Sequence, residues 1–371
     1  MKILNIVGAR PNFIKISPLM AEYKKHENVE AVLLHTGQHY DDKMSDFMFN
    51  DLGIPAPDIN LEVGSGSHAV QTSEIMKRFE PFVLSSKPDM VVVVGDVNST
   101  IACGLVAKKL NVNLAHVEAG LRSFDRSMPE EINRILTDAI SDLLFCTEQS
   151  GVDNLLAEGA AHDKIHMVGN VMIDTLLGHL EKAQQSTILE DLQQQYHLDI
   201  NDYAVLTLHR PSNVDDPSIF SRILDALEVI QADMPVLFPI HPRTRGNISS
   251  FGLNARIDSL KNLYLLEPVG YLDFLKLQAN ARIVLTDSGG IQEETTILKV
   301  PCITLRENTE RPVTVTSGSN QIAGTNPENI ITSYKNAMSN DFKELQIPPL
   351  WDGRAAERIV NIIEEKMLAC C

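Results

Sequence analysis

Apolar and polar positions along this chain alternate between two patterns. Short runs dominated by Val, Ile and Leu recur at residues 3–7, 31–35, 90–94, 114–117 and 143–146. Runs of this length without polar alternation predict strands buried on both faces, the mark of a parallel sheet with helical crossovers. Between them lie amphipathic stretches at 13–25, 67–85, 99–110 and 130–140, each opening near Pro, Ser, Thr or Asn as helix N-termini do. After Ile173 the chain turns polar through residues 181–202, whose Gln-rich part reads as a solvated helix. The strand grammar then restarts at 204–208, 236–240, 263–266, 283–286 and 302–305. The pattern predicts an α/β fold of two Rossmann-like domains facing a cleft, because ligands of open α/β sheets sit at the carboxyl ends of the strands. We place an N-terminal domain at 1–170 and a C-terminal domain at 171–353, with a final helix within 354–371 packing back on the first.

Length agrees, since 371 residues suit two domains at roughly 150 each. A hydrophobic fraction of 44% excludes a disordered or fibrous chain. Acidic residues outnumber basic ones 49 to 32, a net charge of −17, which excludes coating a nucleic acid duplex or an anionic membrane. Any anionic ligand must therefore be held by a local cluster. Cys103, Cys146, Cys302, Cys370 and Cys371 show no metal-ligand spacing. No metal and no cofactor are expected. The terminal Cys370-Cys371 follows a helical pattern without a polybasic flank and reads as a frayed helix end, not a lipidation signal. The opening apolar run is too short for a signal peptide or spanning helix, so a cytoplasmic protein is expected.

Chemistry-bearing residues collect just after the predicted strands. Gly8-Ala9-Arg10-Pro11-Asn12-Phe13-Ile14-Lys15 leaves the first strand through a glycine turn into a helix, where backbone N–H groups, Arg10 and Lys15 suit a diphosphate. Asp96 and Glu118 each end a strand, where helix capping does not account for them. Glu130 and Glu131 open a helix and could be first-turn caps. In the second half, His209-Arg210 and His241-Pro242-Arg243 put two His–Arg pairs at strand ends, which fits phosphate neutralisation. Ser288-Gly289-Gly290 offers N–H groups to phosphate at a further helix start, and Glu294 could accept both hydroxyls of a ribose. Gly64-Ser65-Gly66-Ser67-His68-Ala69 matches a dinucleotide fingerprint but lies in mid-domain, so it reads as a flexible substrate-side loop and not as an NAD site.

Jointly, Gly8-Ala9-Arg10-Pro11 with Lys15, His35-Thr36-Gly37-Gln38-His39-Tyr40, Gly95-Asp96, His116-Val117-Glu118-Ala119-Gly120-Leu121-Arg122, Pro129-Glu130-Glu131 with Asn133-Arg134, Asp287 through Glu294, and Thr309-Glu310-Arg311-Pro312 resemble the non-hydrolysing UDP-N-acetylglucosamine 2-epimerases. The resemblance implies glycosyltransferase-B architecture, a homodimer, and interconversion of UDP-GlcNAc and UDP-ManNAc for envelope polysaccharides without nicotinamide or metal. It places Asp96, Glu118, Glu130 and His209 in catalytic positions, to which we add Lys15 as cationic support for the leaving diphosphate. It places Arg10, Ser288, Gly289, Gly290 and Glu294 in UDP positions, to which we add Arg210, His241 and Arg311 for the diphosphate. The chain departs from relatives that bind a second UDP-GlcNAc as activator by reading Tyr40-Asp41-Asp42 after Gln38-His39. Members acting on UDP-2,3-diacetamido-glucuronic acid share the core motifs.

The implied chemistry matches the inventory. The hydrogen at C2 of a GlcNAc unit is not next to a carbonyl, so departure of UDP must first make C1 oxocarbenium-like and the C2 proton labile. Two acid/base groups on opposite faces, plus cations for the leaving diphosphate, are then required. A retaining glycosyltransferase or a non-enzymatic sugar-nucleotide sensor would use the same UDP cradle without needing paired bases. Closure of the two domains on UDP is expected, since a glycal intermediate must be kept from water.

Overall fold

The computed structural model describes residues 1–38, 52–198, 202–339 and 345–368. They form two compact units, one of Met1–Gly178 together with the chain from Pro349 onward, the other of His179–Pro348. The division after Gly178 falls a helical turn or two beyond residue 170, inside the helix Val171–Gln184.

Unit 1 is built on β1 (Lys2–Val7), β2 (Glu30–His35), β3 (Ile59–Asn60), β4 (Met90–Val94), β5 (Asn113–Ala119), β6 (Leu143–Cys146) and β7 (Ile165–Met167). They pair in the order β3-β2-β1-β4-β5-β6-β7, every pair parallel. β4, Met-Val-Val-Val-Val, is buried along its whole length, which is why it reads as an unbroken apolar run. Leu4, Ile6, Leu34, Val91 and Val93 pack there against Ile75 and Phe79 of the helix His68–Ser86. That helix starts inside the fingerprint-like segment: Ser67 Oγ accepts the Val70 N–H, so His68 and Ala69 are helical and not part of a loop.

The helix Ala355–Leu368 belongs to unit 1. The Asp174 carboxylate accepts the N–H groups of Ala355 and Ala356 at 3.1 and 2.7 Å, capping the helix from another element. Trp351 Nε1 donates to the Thr147 carbonyl, and His26 Nδ1 meets Glu364 Oε2 at 2.7 Å.

Unit 2 repeats the plan with β8 (Ala204–Thr207), β9 (Val236–Pro239), β10 (Leu263–Leu266), β11 (Ile283–Thr286), β12 (Cys302–Thr304) and β13 (Asn320–Ile322). Its order is β10-β9-β8-β11-β12-β13, again parallel. Leu206, Phe238, Leu285 and Ile303 carry the core, covered by Phe220, Ile223 and Leu224 of the helix Pro217–Asp233. The Gln-rich segment is helical over Ile188–Tyr196. Each sheet reverses strand order once, between β1 and β4 in unit 1 and between β8 and β11 in unit 2, and such switch points open a crevice at the strand carboxyl ends. The weak strands β3, β7 and β13, of two or three residues each, escape the sequence pattern because so few residues carry no readable period.

Candidate functional site

In unit 1 the switch point lies between the turn after β1 and Asp96 after β4. The helix Arg10–Tyr23 begins at that turn with Pro11 in its first turn. The side chain of Arg10 lies outside the described residues. The expected anion cradle differs in one respect. The Gly8 and Ala9 N–H groups donate to Asn12 Oδ1 at 3.1 and 2.9 Å, while Asn12 Nδ2 donates to the Val94 carbonyl at 3.0 Å. Asn12 thus satisfies those donors and pins the turn across the switch point to the end of β4.

One turn along the helix, Lys15 Nζ meets Glu118 Oε2 at 2.6 Å, with side chains only 8% and 3% exposed. A buried pair of this kind loses hydration on both sides, so removing either partner strands the other charge. Glu118 is where the regular ladder breaks. The register between β5 and β6 shifts between Val117 and Ala119, and Glu118 has φ +78. A bulge re-aims a side chain at a strand end, and a left-handed non-glycine residue persists only where its surroundings fix it. Gly120 follows with φ +81, and a Cβ there would lie 2.2 Å from the Gly151 carbonyl oxygen, so glycine is required. Gly95 also has φ +67, and a Cβ on it would approach Lys15 Nζ to 3.0 Å. Lys15, Glu118 and the Gly95-Asp96 turn therefore adjoin.

Asp96 Oδ2 pairs with Arg134 Nη2 at 2.5 Å, and Arg134 Nη1 pairs with Glu131 Oε2 at 2.5 Å. Glu131 also accepts from Ser123 N–H and Oγ, both 3.0 Å, and from Phe124 N–H at 2.9 Å. Glu131 is thereby a loop-holding carboxylate. Glu130, half-buried beside it, takes no part in these ion pairs among the described residues. The helix Pro129–Ile140 has inverted polarity: Glu131, Arg134, Thr137 and Asp138 are buried, while Ile132 and Leu136 are about half exposed at 47% and 48%. Its inner face meets polar strand ends, not an apolar core, which accounts for the inversion.

In unit 2 the switch point lies between His209-Arg210 after β8 and Asp287-Ser288 after β11. Asp287 is fully buried and collects the His209 N–H at 3.0 Å, the Arg210 N–H at 2.9 Å, Asn213 Nδ2 at 3.3 Å and the His209 ring through Nδ1 at 3.0 Å. Burial pushes its carboxyl up, but the His209 ring and the two backbone N–H groups outweigh that and hold it below the usual range. His209 turns Nδ1 to Asp287, and its side chain is 45% exposed. The His241 ring lies 6.3 Å from that of His209, its Nδ1 accepting the Arg243 N–H to cap the helix Pro242–Ser250.

Ser288 is the cap residue of the helix Gly289–Leu298, and its own N–H donates to Thr286 Oγ1 at 3.0 Å. A Cβ on Gly289 would meet Glu310 Oε1 at 2.9 Å. Glu310 in turn pairs with Arg306 at 2.8 Å and Arg210 at 3.4 Å. Burial raises its carboxyl and the guanidinium groups of Arg311, Arg306 and Arg210 pull it further down, well below the carboxylate range. Arg311 Nε donates to Glu293 Oε1 at 2.6 Å. Glu294, 4% exposed, accepts from Gln278 Nε2 at 2.8 Å and Tyr271 Oη at 3.3 Å, contacts that fix its rotamer. Burial and the Glu294 carboxylate both push the Tyr271 phenol well up, so it stays a donor. Gln278, Tyr271 and Asp138 escaped the sequence pattern because they stand in helices, away from strand ends, whereas Arg306, two residues past β12, did carry the strand-end signal. For Asp138 a signal did exist, its spacing of four from Arg134 on one helix face.

Among the described residues no group of three or more His, Cys, Asp or Glu side chains could hold a metal ion, and no helix is long and apolar enough to cross a membrane. Cys103, Cys146 and Cys302 are free and buried. The His39-Tyr40-Asp41-Asp42 segment and Cys370-Cys371 lie outside the described residues.

A family model described as UDP-N-acetylglucosamine 2-epimerase matches residues 21–364. The chain is 45% identical over 365 residues to the UDP-N-acetylglucosamine 2-epimerase of Methanocaldococcus jannaschii, covering 98% of this chain and 99% of that one. It is 42% identical over 347 residues to the UDP-2,3-diacetamido-2,3-dideoxy-D-glucuronate 2-epimerase of Pseudomonas aeruginosa, covering 93% and 94%. The fold superposes on the crystal structure of the M. jannaschii enzyme in complex with UDP-GlcNAc and UDP at a TM-score of 0.91, with 43% identity over 98% of this chain and 100% of that one.

Proposed function

The chain belongs to the UDP-N-acetylglucosamine 2-epimerase family, and from that premise we propose that it interconverts UDP-GlcNAc and UDP-ManNAc, with acid/base chemistry on unit 1 and UDP binding on unit 2. The observation that carries the division is the pair of strand-end carboxylates in unit 1, Glu118 buried against Lys15 and Asp96 against Arg134. Glu130, in the first turn of the same helix as Arg134, is the third carboxylate of the set.

The reaction needs what these groups supply. As the C1–O bond breaks, its electron pair leaves with UDP, while a carboxylate takes the C2 proton and the C2–H pair becomes the C1=C2 bond of 2-acetamidoglucal. A second group then returns a proton to the opposite face of C2, UDP oxygen adds back at C1, and C2 is inverted. Lys15, Arg10 and His209 support the diphosphate as charge develops on it. On unit 2, Arg210, His241, Arg311 and the Ser288-Gly289-Gly290 helix start hold phosphate, and Glu294 accepts the ribose hydroxyls.

The relative acting on a diacetamido sugar favours a second reading, 2-epimerisation of UDP-2,3-diacetamido-glucuronic acid by the same groups. Cytoplasmic placement and a role in envelope polysaccharide synthesis complete the proposal. So does a homodimer, for which the half-exposed Ile132 and Leu136 offer an apolar face.

Proton NMR of the protein with UDP-GlcNAc in D2O, with EDTA and no acceptor, tests this reading. UDP-ManNAc carrying deuterium at C2 is expected. Free ManNAc with UDP would mark a hydrolysing enzyme, and binding without C2 exchange a sensor or a transferase. Exchange with the diacetamido sugar alone would select the second reading.

A further inference from the structure

His116, in β5, is fully buried, yet both its ring nitrogens are engaged: Nδ1 with Asp138 Oδ1 at 2.7 Å, Nε2 with the Gly95 carbonyl at 2.8 Å. A carbonyl oxygen only accepts, so Nε2 carries a proton and donates to it. Gly95 is the left-handed residue that delivers Asp96. The other oxygen of Asp138 turns the opposite way. Oδ2 accepts the Gly120 N–H at 3.0 Å and pairs with Arg122 Nη1 at 2.7 Å. Gly120 closes the left-handed turn that begins at Glu118. Arg122 is held in turn by Glu158 through Nε at 2.8 Å and Nη2 at 2.6 Å. One buried carboxylate thus reaches the backbone of both turns.

We propose that Asp138 is a positioning residue that fixes both acid/base carboxylates, Asp96 through the His116 ring and Glu118 through the turn at Gly120. This rests on the acid/base reading above. Both turns use backbone conformations that persist only where surrounding contacts over-determine them, and these hydrogen bonds are such contacts. Asp138 stands on the helix Pro129–Ile140, one turn after Arg134, which grips Asp96 directly. A single helix therefore sets the side chain of Asp96 and the backbone beneath both carboxylates. Asp138 touches no reacting atom; its effect is on distance, and a misplacement of about 1 Å in a proton-transfer group can cost about 10²-fold in rate.

The test compares Asp138→Asn, His116→Leu and His116→Gln in the full chain, reading kcat, KM for UDP-GlcNAc, deuterium incorporation at C2 and Tm. Asp138→Asn and His116→Leu are expected to lose about 10²-fold in kcat and in C2 exchange, with KM within about threefold of the parent. His116→Gln, whose amide can still donate to the Gly95 carbonyl, is expected to recover at least about tenfold over His116→Leu at equal Tm. A merely structural role would move Tm and leave the Gln and Leu variants equally active. Equal activity in those two, or parental kcat in a folded Asp138→Asn, overturns the proposal, and if Asp138→Asn does not fold the His116 pair decides alone. Asp96→Asn and Glu118→Gln run alongside separate the two readings. Parental kcat there overturns the acid/base assignment and this proposal with it. Loss there, with activity kept in the Asp138 and His116 variants, overturns the positioning alone.

Discussion

The two units share one parallel, doubly wound plan and differ in what their strand ends present. In unit 1 the ends carry carboxylates, Asp96 and Glu118, each set by a left-handed turn and gripped by a buried cation, Arg134 or Lys15. In unit 2 the same positions carry His209, Arg210 and the Ser288-Gly289-Gly290 helix start, while the buried carboxylates turn inward, Asp287 to the His209 ring and backbone N–H groups and Glu310 to the guanidinium groups of Arg210 and Arg306. The roles of ligand-facing group and internal counter-charge are exchanged. One topology therefore supports two chemistries, because the sheet fixes where a side chain emerges and the local sequence fixes its sign.

If unit 1 does the proton chemistry, Asp96→Asn and Glu118→Gln each lower kcat by at least about 10²-fold and leave UDP affinity within a few fold, as steady-state kinetics and calorimetry would show. UDP affinity falling with kcat at saturation intact would move the chemistry off unit 1. A smaller effect is expected on the other side. Glu294→Ala weakens UDP binding by about 10- to 100-fold, the scale of hydrogen bonds to a charged group, and leaves kcat at saturation nearly parental. The opposite pattern would erase the contrast between the units.

The smallest effect concerns acid. Burial lowers His35 of unit 1 to about 4 from its ordinary 6.5, so the folded chain holds it neutral where the unfolded chain protonates it. Its contribution is intact above about 6.5 and is lost progressively as pH falls toward about 4. Asp287 of unit 2, held below its ordinary value of 3.8, contributes fully above that value and loses its stabilisation only below it. Hydrogen exchange at pH 7 and pH 5 should therefore show β2 and β1 losing protection while β8 and β11 do not, and His35→Gln should remove the difference. Equal loss in both units would show that other groups govern the acid response.

The strands that place these groups were legible because a doubly buried strand must be an unbroken apolar run, as 90–94 and 283–286 are, and because strand-end Asp, Glu, His and Gly stand directly after such runs. The candidate residues were legible to the same depth: Asp96, His209 and Ser288 stand just after strands, Glu118 at the end of β5, and Lys15 in the helix that leaves β1. Contacts from helix interiors were not. Nothing local in the sequence says that Asn12 takes the N–H groups of Gly8 and Ala9, or that Gln278 and Tyr271 fix Glu294.

What the sequence determined by itself was therefore order and kind: two parallel α/β units, the strands in their succession, and which residue types stand at the strand ends, since burial and turn chemistry act over a few neighbouring residues. Only the tertiary structure decided partnership. Lys15 meets Glu118 across 103 positions of chain, and Asp138 reaches His116 and Gly120 because β5 and the helix Pro129–Ile140 pack together. Such pairings depend on three-dimensional distance and on desolvation, which no spacing along the chain encodes. The same packing turned Glu131, Arg134 and Asp138 inward and left Ile132 and Leu136 outside, against the polarity that an isolated helix would adopt in water.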